Sequence, residues 1–262
     1  MQLALVLVLV FCLFTPTGAN VALAENLTIA AASDLNFAFR EIVAEYERTT
    51  GDNVRLVFGS SGNFYAQIQN GAPFDLYFSA DIGYPKKLID EGLAVPDSLY
   101  QYATGRIVLW APKESSLDVT RGMDVLLDSA VKKIAIANPK HAPYGRAAVS
   151  AMEHYKIYDR VKDKFVLGEN ISQTAQFAQS GAADIGIIAL SLALAPTVQP
   201  LGSYWLIPQE AHPTIDQGMV MIKASKHHDG GRKFLDLFRT PNVRAIMKRY
   251  GFVLPGENIH SQ

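Results

Sequence analysis

Strand-like and helix-like stretches alternate three times within residues 27–89, and that alternation restricts the chain to an α/β architecture built on a mostly parallel sheet. "NLTIAAASDL" supplies a strand over residues 27–32. The helix after it carries Leu35, Ala38, Phe39, Ile42, Val43 and Tyr46 at three- and four-residue spacing before Gly51 stops it. A strand over residues 54–58 runs through Gly59-Ser60-Ser61-Gly62 into a second helix, with Phe64 and Ile68 on one face and Asn70-Gly71 closing the turn. "FDLYFSA" is the third strand, followed by a helix through Pro85, Leu88 and Ile89.

Beyond "YATGRIVLWAPKES" the alternation begins again: a helix over residues 123–128, the strand "KIAIAN", a helix after "PYG", a strand over 165–167, the helix "ISQTAQFAQSG" and the strand "ADIGIIAL". Two tandem units leave the end of the chain unexplained, because the apolar strand "GMVMIKAS" and helices over 231–238 and 242–250 have no third sheet to join. A crossing to a second lobe near Arg106 and a return near Gln217 resolve this. The division expected is lobe 1 from residues 25–105 and 217–262, and lobe 2 from residues 106–216. No repeat or low-complexity tract separates them, so the connections are expected to be short hinge strands.

The N-terminus sets the compartment. An apolar run over residues 3–14, followed by Thr-Pro-Thr-Gly and Ala22-Leu23-Ala24, reads as a secretory signal (residues 1–24) cleaved before Glu25. The run falls short of the roughly 20 residues a membrane span needs. Cys12, the single cysteine, leaves with it, since the bulky Phe11 before it is unlike a lipoprotein signal. The mature chain then holds neither a disulfide nor a thiolate metal site, and a periplasmic location is expected. With 24 Lys+Arg against 25 Asp+Glu, no strong global field draws nucleic acid or a membrane surface, so a ligand must be recognised locally.

The junction at residues 59–62 narrows the chemistry. A phosphate-binding P-loop needs a Lys after the second glycine, and a nucleophile elbow needs G-x-S-x-G; neither is present. Either serine suits a helix N-cap, which is the plain structural alternative. The other physical option is an anion held by the unpaired N–H groups of the helix start, with Ser61 adding a hydroxyl. Three further junctions repeat the pattern. Ser33-Asp34 follows "TIAAA", "HAPYGR" places Tyr144 beside Pro143 at a helix start, and "GENISQ" sets Asn170 and Gln173 near a capping box with the Ile171 amide turned outward. Two junctions fall in each expected lobe, so an anion could be gripped from both sides of a crevice at the strands' C-terminal ends.

In "AAASDL", "FGSSGNFYAQIQNGAPFDLYFSAD", "GRIVLWAPK", "IAIANPKHAPYG", "ADIGIIAL" and "RYGFVLP", taken in that order, the chain resembles the periplasmic molybdate-binding proteins of ABC import systems over nearly all of its mature length. The resemblance implies a two-lobed, type II periplasmic-binding-protein fold closing on molybdate or the near-isosteric tungstate. It implies a non-enzymatic, monomeric receptor with a membrane permease as partner and no cofactor. It places ligand contacts on Ser33, Ser61, the Tyr144 position and the backbone amide of Ile171. Asp34 is expected to contribute its amide, because a carboxylate repels a dianion. Molybdenum would be held only as its oxyanion, with no direct metal ligand. Many members carry a tyrosine donor where this chain has Ala189, and Tyr144 is expected to supply the phenol instead.

Neutral donors suffice on magnitude. Six charge-assisted hydrogen bonds at roughly 2 kcal/mol each, less an association cost of at least about 4 kcal/mol, leave about 8 kcal/mol, or roughly micromolar affinity. A donor-only site also rejects hydrogenphosphate, whose proton needs an acceptor. Sulfate carries no such proton and would be rejected by cavity size.

Other features read as structural: Arg40 and Arg146 as solvated helix charges, His227-His228-Asp229 as a turn, Asp90 and Glu91 as a helix end, and Tyr65, Tyr77, Trp110 and Trp205 as core. The rival functions are a receptor for sulfate or a phosphonate and, from a different class, a secreted serine hydrolase using Ser61.

Overall fold

The computed structural model describes residues 25–257, so the signal-peptide reading of residues 1–24, Cys12 included, lies outside the described residues. The strands are β1 (Asn26–Ala32), β2 (Asn53–Gly59), β3 (Leu76–Ser79), β4 (Tyr100–Gly105), β5 (Ile107–Pro112), β6 (Ile134–Ala137), β7 (Phe165–Gly168), β8 (Ile185–Ala189), β9 (Gly202–Leu206) and β10 (Ile215–Met221). The helices are α1 (Asn36–Thr50), α2 (Ser61–Gln69), α3 (Gly83–Asp90), α4 (Pro143–His154), α5 (Tyr158–Val161), α6 (Ile171–Gln179), α7 (Leu190–Ala193), α8 (His228–Leu237) and α9 (Pro241–Arg249).

The strands form two sheets of five, in the orders β2-β1-β3-β10-β4 and β7-β6-β8-β5-β9. Helices flank both, giving two lobes. In each sheet the strands predicted from strand–helix alternation are the parallel ones: β1 with β2 and β3, and β6 with β7 and β8. The remaining pairings are antiparallel, β10 with β3 and β4, and β5 with β8 and β9. Each sheet is therefore mixed, because one strand in each, β10 in the first and β5 in the second, runs counter to all the others.

Arg106 alone separates β4 in the first sheet from β5 in the second. Its guanidinium donates to the Gly251 carbonyl, and Thr104 exchanges backbone hydrogen bonds with Val253 at 2.7 and 3.0 Å. The segment after α9 is thereby bound to the crossing.

The C-terminal helices return to the first lobe for a packing reason. Phe234 and Phe238 of α8 and the residue after it join Phe39 of α1, Phe78 of β3 and Tyr102 of β4 in one aromatic cluster. Phe39–Phe78 and Phe78–Phe238 centroids stand 4.8 and 4.9 Å apart, within the range of favourable ring pairs.

Two local expectations change. The helix expected over residues 123–128 is a pair of 3-10 turns over Val119–Leu127, broken at Gly122 by φ 64°, a conformation glycine adopts without a Cβ clash. Tyr65, expected in the core, is only half-buried, and its hydroxyl donates to Glu91 at 2.5 Å; the acid assigned merely to a helix end thus ties α2 to the turn after α3.

Candidate functional site

Ser33, Asp34, Ser61, Tyr144 and Ile171 all line one cavity of about 10 Å³, with Ala32, Gly59, Ser60, Ala80, Ala142 and Pro143. That is room for roughly one water. Each of the five comes from a strand-to-helix junction. Ser33 and Asp34 follow β1, Ser61 follows β2, Tyr144 lies in the first turn of α4, and Ile171 opens α6 after β7. Ser33 and Ser61 are each 1% exposed, so both side chains are out of reach of solvent in this structure.

The two lobes are closed on each other at these same junctions. Ser33 Oγ donates to Asn170 Oδ1 at 3.1 Å and accepts from the Ser172 amide at 3.2 Å, while Ser172 Oγ donates to the Ser33 carbonyl at 2.8 Å. Ser60 Oγ lies 2.8 Å from His141 Nδ1, and the Gly62 amide donates to the His141 carbonyl at 2.9 Å. Ser191 Oγ donates to the Asp34 carbonyl at 2.8 Å.

Neither hydroxyl of the Gly-Ser-Ser-Gly junction caps α2. Ser60 occupies the N-cap position but makes no side-chain cap bond, being turned instead to His141. Ser61 Oγ accepts from the Ala80 amide at 2.9 Å, and its backbone carbonyl accepts from the Tyr77 hydroxyl at 2.7 Å. With its oxygen fixed by Ala80, the Ser61 hydroxyl keeps its proton to donate. At α6 the near-capping box is observed: Asn170 Oδ1 accepts from the Gln173 amide, and Gln173 Oε1 accepts from the Glu169 amide, one residue before the position a strict box uses.

Behind the cavity sits a buried polar cluster. Asp34 Oδ2 accepts from Tyr144 Oη at 2.9 Å and from Gln217 Nε2 at 2.7 Å, and Gln217 also reaches Tyr144 Oη at 3.0 Å. Burial pushes the Asp34 carboxyl up to about 6, against the lowering effect of those two donors. Burial, reinforced by Asp34, pushes the Tyr144 phenol well above its ordinary value. The Tyr144 phenol, expected to supply a donor to the ligand, is thus directed at Asp34. Ala189 is the last residue of β8, paired with Ile107.

Outside the cavity a chamber of about 360 Å³ is lined by Asp81, Arg146, Ser150, Thr214 and Asp216, among others, and shares Ala80 and Pro143 with it. Arg146, read from sequence as a solvated charge, pairs with Asp81 across the lobes at 2.5 Å. Arg40 is solvated as expected, donating to Asn36 Oδ1 at 2.9 Å. His227 pairs with Glu25, and no group of three His, Cys, Asp or Glu among the described residues is placed to hold a metal ion. Sequence reasoning missed Ser172 and Ser191 as site neighbours; it read Ser60 only as a helix cap, His141 only as part of the "HAPYGR" junction and Gln217 only as the return crossing, although an amide inside the apolar strand "IDQGMVM" was a signal.

Residues 27–253 match the bacterial extracellular solute-binding protein family. The chain is 37% identical over 232 residues to the molybdate-binding protein ModA of Rhodobacter capsulatus, covering 88% of this chain and 90% of that one. It is 36% identical over 233 residues to ModA of Azotobacter vinelandii, covering 89% and 92%. The solved structure of the Azotobacter vinelandii periplasmic molybdate-binding protein superposes with a TM-score of 0.83 at 33% identity, covering 87% of this chain and 99% of that one. With its two mixed sheets, its cavity between opposed βα junctions and these relatives, the chain belongs to the bacterial extracellular solute-binding proteins, within the molybdate-binding ModA family.

Proposed function

We propose that this protein is an exported receptor that captures molybdate, or the near-isosteric tungstate, for an ABC importer. In this reading neutral hydroxyl and amide donors from both lobes hold the bare dianion. The observation that carries it is the cavity itself: four βα junctions, two from each sheet, converge on a space whose lining contains no lysine or arginine. Hydroxyl and amide donors around such a space suit an oxyanion that needs no acceptor. The relatives named for molybdate support the choice of ligand, and the solute-binding family is non-enzymatic. The hydrolase alternative has no support at Ser61, whose hydroxyl faces Ala80 and the cavity and has no hydrogen bond to a histidine.

In detail, Ser33 and Ser61 would donate their hydroxyls, and Asp34 and Ile171 their amides. Tyr144 would close the back of the site through Asp34. Residues 25–105 with 217–262 would move as one lobe and residues 106–216 as the other. The ligand favours closure because it touches both. The monomeric closed form would be what a membrane permease meets, after removal of residues 1–24.

A thermal-shift panel of molybdate, tungstate, sulfate and phosphate tests this, since a ligand raises the unfolding temperature according to its affinity. Molybdate and tungstate should each raise it by several degrees at low millimolar concentration, with sulfate and phosphate inert. A larger shift with sulfate or phosphate would overturn the assignment.

A further inference from the structure

Asp34 presents a problem that the donor-only account leaves open. It lines the same cavity as Ser33 and Ser61, and it is 1% exposed. Its Oδ2 takes both available donors, Tyr144 Oη and Gln217 Nε2, while Oδ1 is buried with no partner. Gln217 Oε1, in the same cluster, is also buried without a donor.

The elements packed around Asp34 offer no cation to balance it. α4 presents Tyr144, β10 presents Gln217, β4 presents Tyr102, α7 presents Ser191, and α6 contributes Ile171 and Ser172. The titratable members are the two phenols, both held in their neutral form by burial. A carboxylate beside this cavity would lie close to a dianion with bulk water excluded and only two neutral donors, Tyr144 and Gln217, to balance its charge. Like charges in a dry site do not both remain ionised; the more basic one takes a proton.

We infer that Asp34 binds the anion as a neutral carboxylic acid, so that each dianion captured brings one proton in with it. This rests on the oxyanion reading above and specifies its chemistry. The step balances simply: the Asp34 carboxylate, one proton from solvent and the dianion become the Asp34 carboxylic acid and the bound dianion. No bond to the anion's central atom forms or breaks. The added proton turns Asp34 Oδ1, a buried acceptor without a partner, into a donor. Burial, net of the hydrogen bonds that oppose it, already holds the carboxyl at about 6 in the closed protein, and the dianion's charge would raise it further. Asp34 is thus a positioning group that sets the pH range in which the receptor loads.

The test is titration calorimetry of molybdate into the full mature chain at about pH 8, in several buffers of different ionisation enthalpy. The slope of observed enthalpy against buffer enthalpy counts protons. The expected result is uptake approaching one proton per anion, with affinity falling about tenfold per pH unit on the alkaline side. Asp34→Asn should bind with no proton uptake and a flat pH profile. Tyr144→Phe removes one donor to the carboxylate but keeps the acid, so uptake should persist and the fall in affinity should begin at higher pH. Molybdate binding with zero proton uptake in the unaltered protein would overturn this inference and leave the receptor assignment standing. Tighter binding of hydrogenphosphate than molybdate would overturn it as well, by making Asp34 an acceptor. Absence of any molybdate binding would defeat the assignment and this inference together.

Discussion

The Gly62 amide donates to the His141 carbonyl at 2.9 Å, and a Cβ on Gly62 would stand 2.7 Å from that same oxygen. The contact joins the start of α2 to the loop before α4, across the two sheets. It makes residue 62 a gauge of closure.

Gly62→Ala should therefore prop the lobes apart without disturbing either sheet. A methyl group at that distance cannot be accommodated unless the backbone of the other lobe retreats. The expected outcome is a loss of molybdate affinity of about tenfold or more, with little change in ligand-free unfolding temperature. Calorimetry and small-angle scattering with and without ligand measure both. Wild-type affinity with wild-type compaction would show that the contact plays no part in closure.

Ser33→Ala and Ser61→Ala should each weaken molybdate binding by roughly ten- to a hundredfold, the range for losing one hydrogen bond to a charged group. Ser61→Ala also removes the acceptor of the buried Ala80 amide, so its ligand-free stability should fall further than that of Ser33→Ala. Unchanged affinity in both variants would remove these hydroxyls from the site.

Asp34 makes ligand-free stability depend on pH in a defined direction. Its folded value, about 6, lies above the ordinary 3.8, so the folded closed form holds the proton more tightly than the unfolded chain. The stability this contributes is present at low pH and is lost as pH rises through about 6. Asp34→Asn, which cannot ionise, should gain on the unaltered protein by up to about 3 kcal/mol between pH 4 and neutrality. Urea unfolding at the two pH values measures this. An equal difference at both would mean that the carboxyl is not strained by burial.

The Arg146–Asp81 pair should contribute little, and in a salt-dependent way. Its side chains are 41% and 37% exposed, and pairs so placed are typically worth at most about 1 kcal/mol. Removing either charge should raise the molybdate dissociation rate by no more than about fivefold, an effect that fades in high salt. Stopped-flow displacement at two ionic strengths reads it directly.

The parts of this molecule legible in sequence are those fixed by local periodicity and punctuation. α1 was readable from the spacing of Leu35 to Tyr46, and the four junctions were readable because Gly, Ser, Pro and Asn mark where a strand must turn into a helix. β9 was not, since "GSYWL" is only half-buried and lacks alternation. The capping role open to Ser60 and Ser61 was a sound local expectation. It fails because His141 and the Ala80 amide, which are 81 and 19 residues away, outcompete the helix start for those oxygens. The Asp34–Tyr144–Gln217 cluster was invisible for the same reason: its members come from three distant segments and meet only once both sheets and the two crossings are in place.

One residue, Arg106, spans the gap between β4 and β5, and its side chain is fastened to Gly251, in the turn after α9. A tether that short leaves no slack for sliding, so two lobes that moved about it would have a swing and very little else. Under the proposed receptor function, loaded and empty forms would then differ by an angle about a fixed pivot, and a partner that told them apart from outside would be reading the inclination of one lobe against the other.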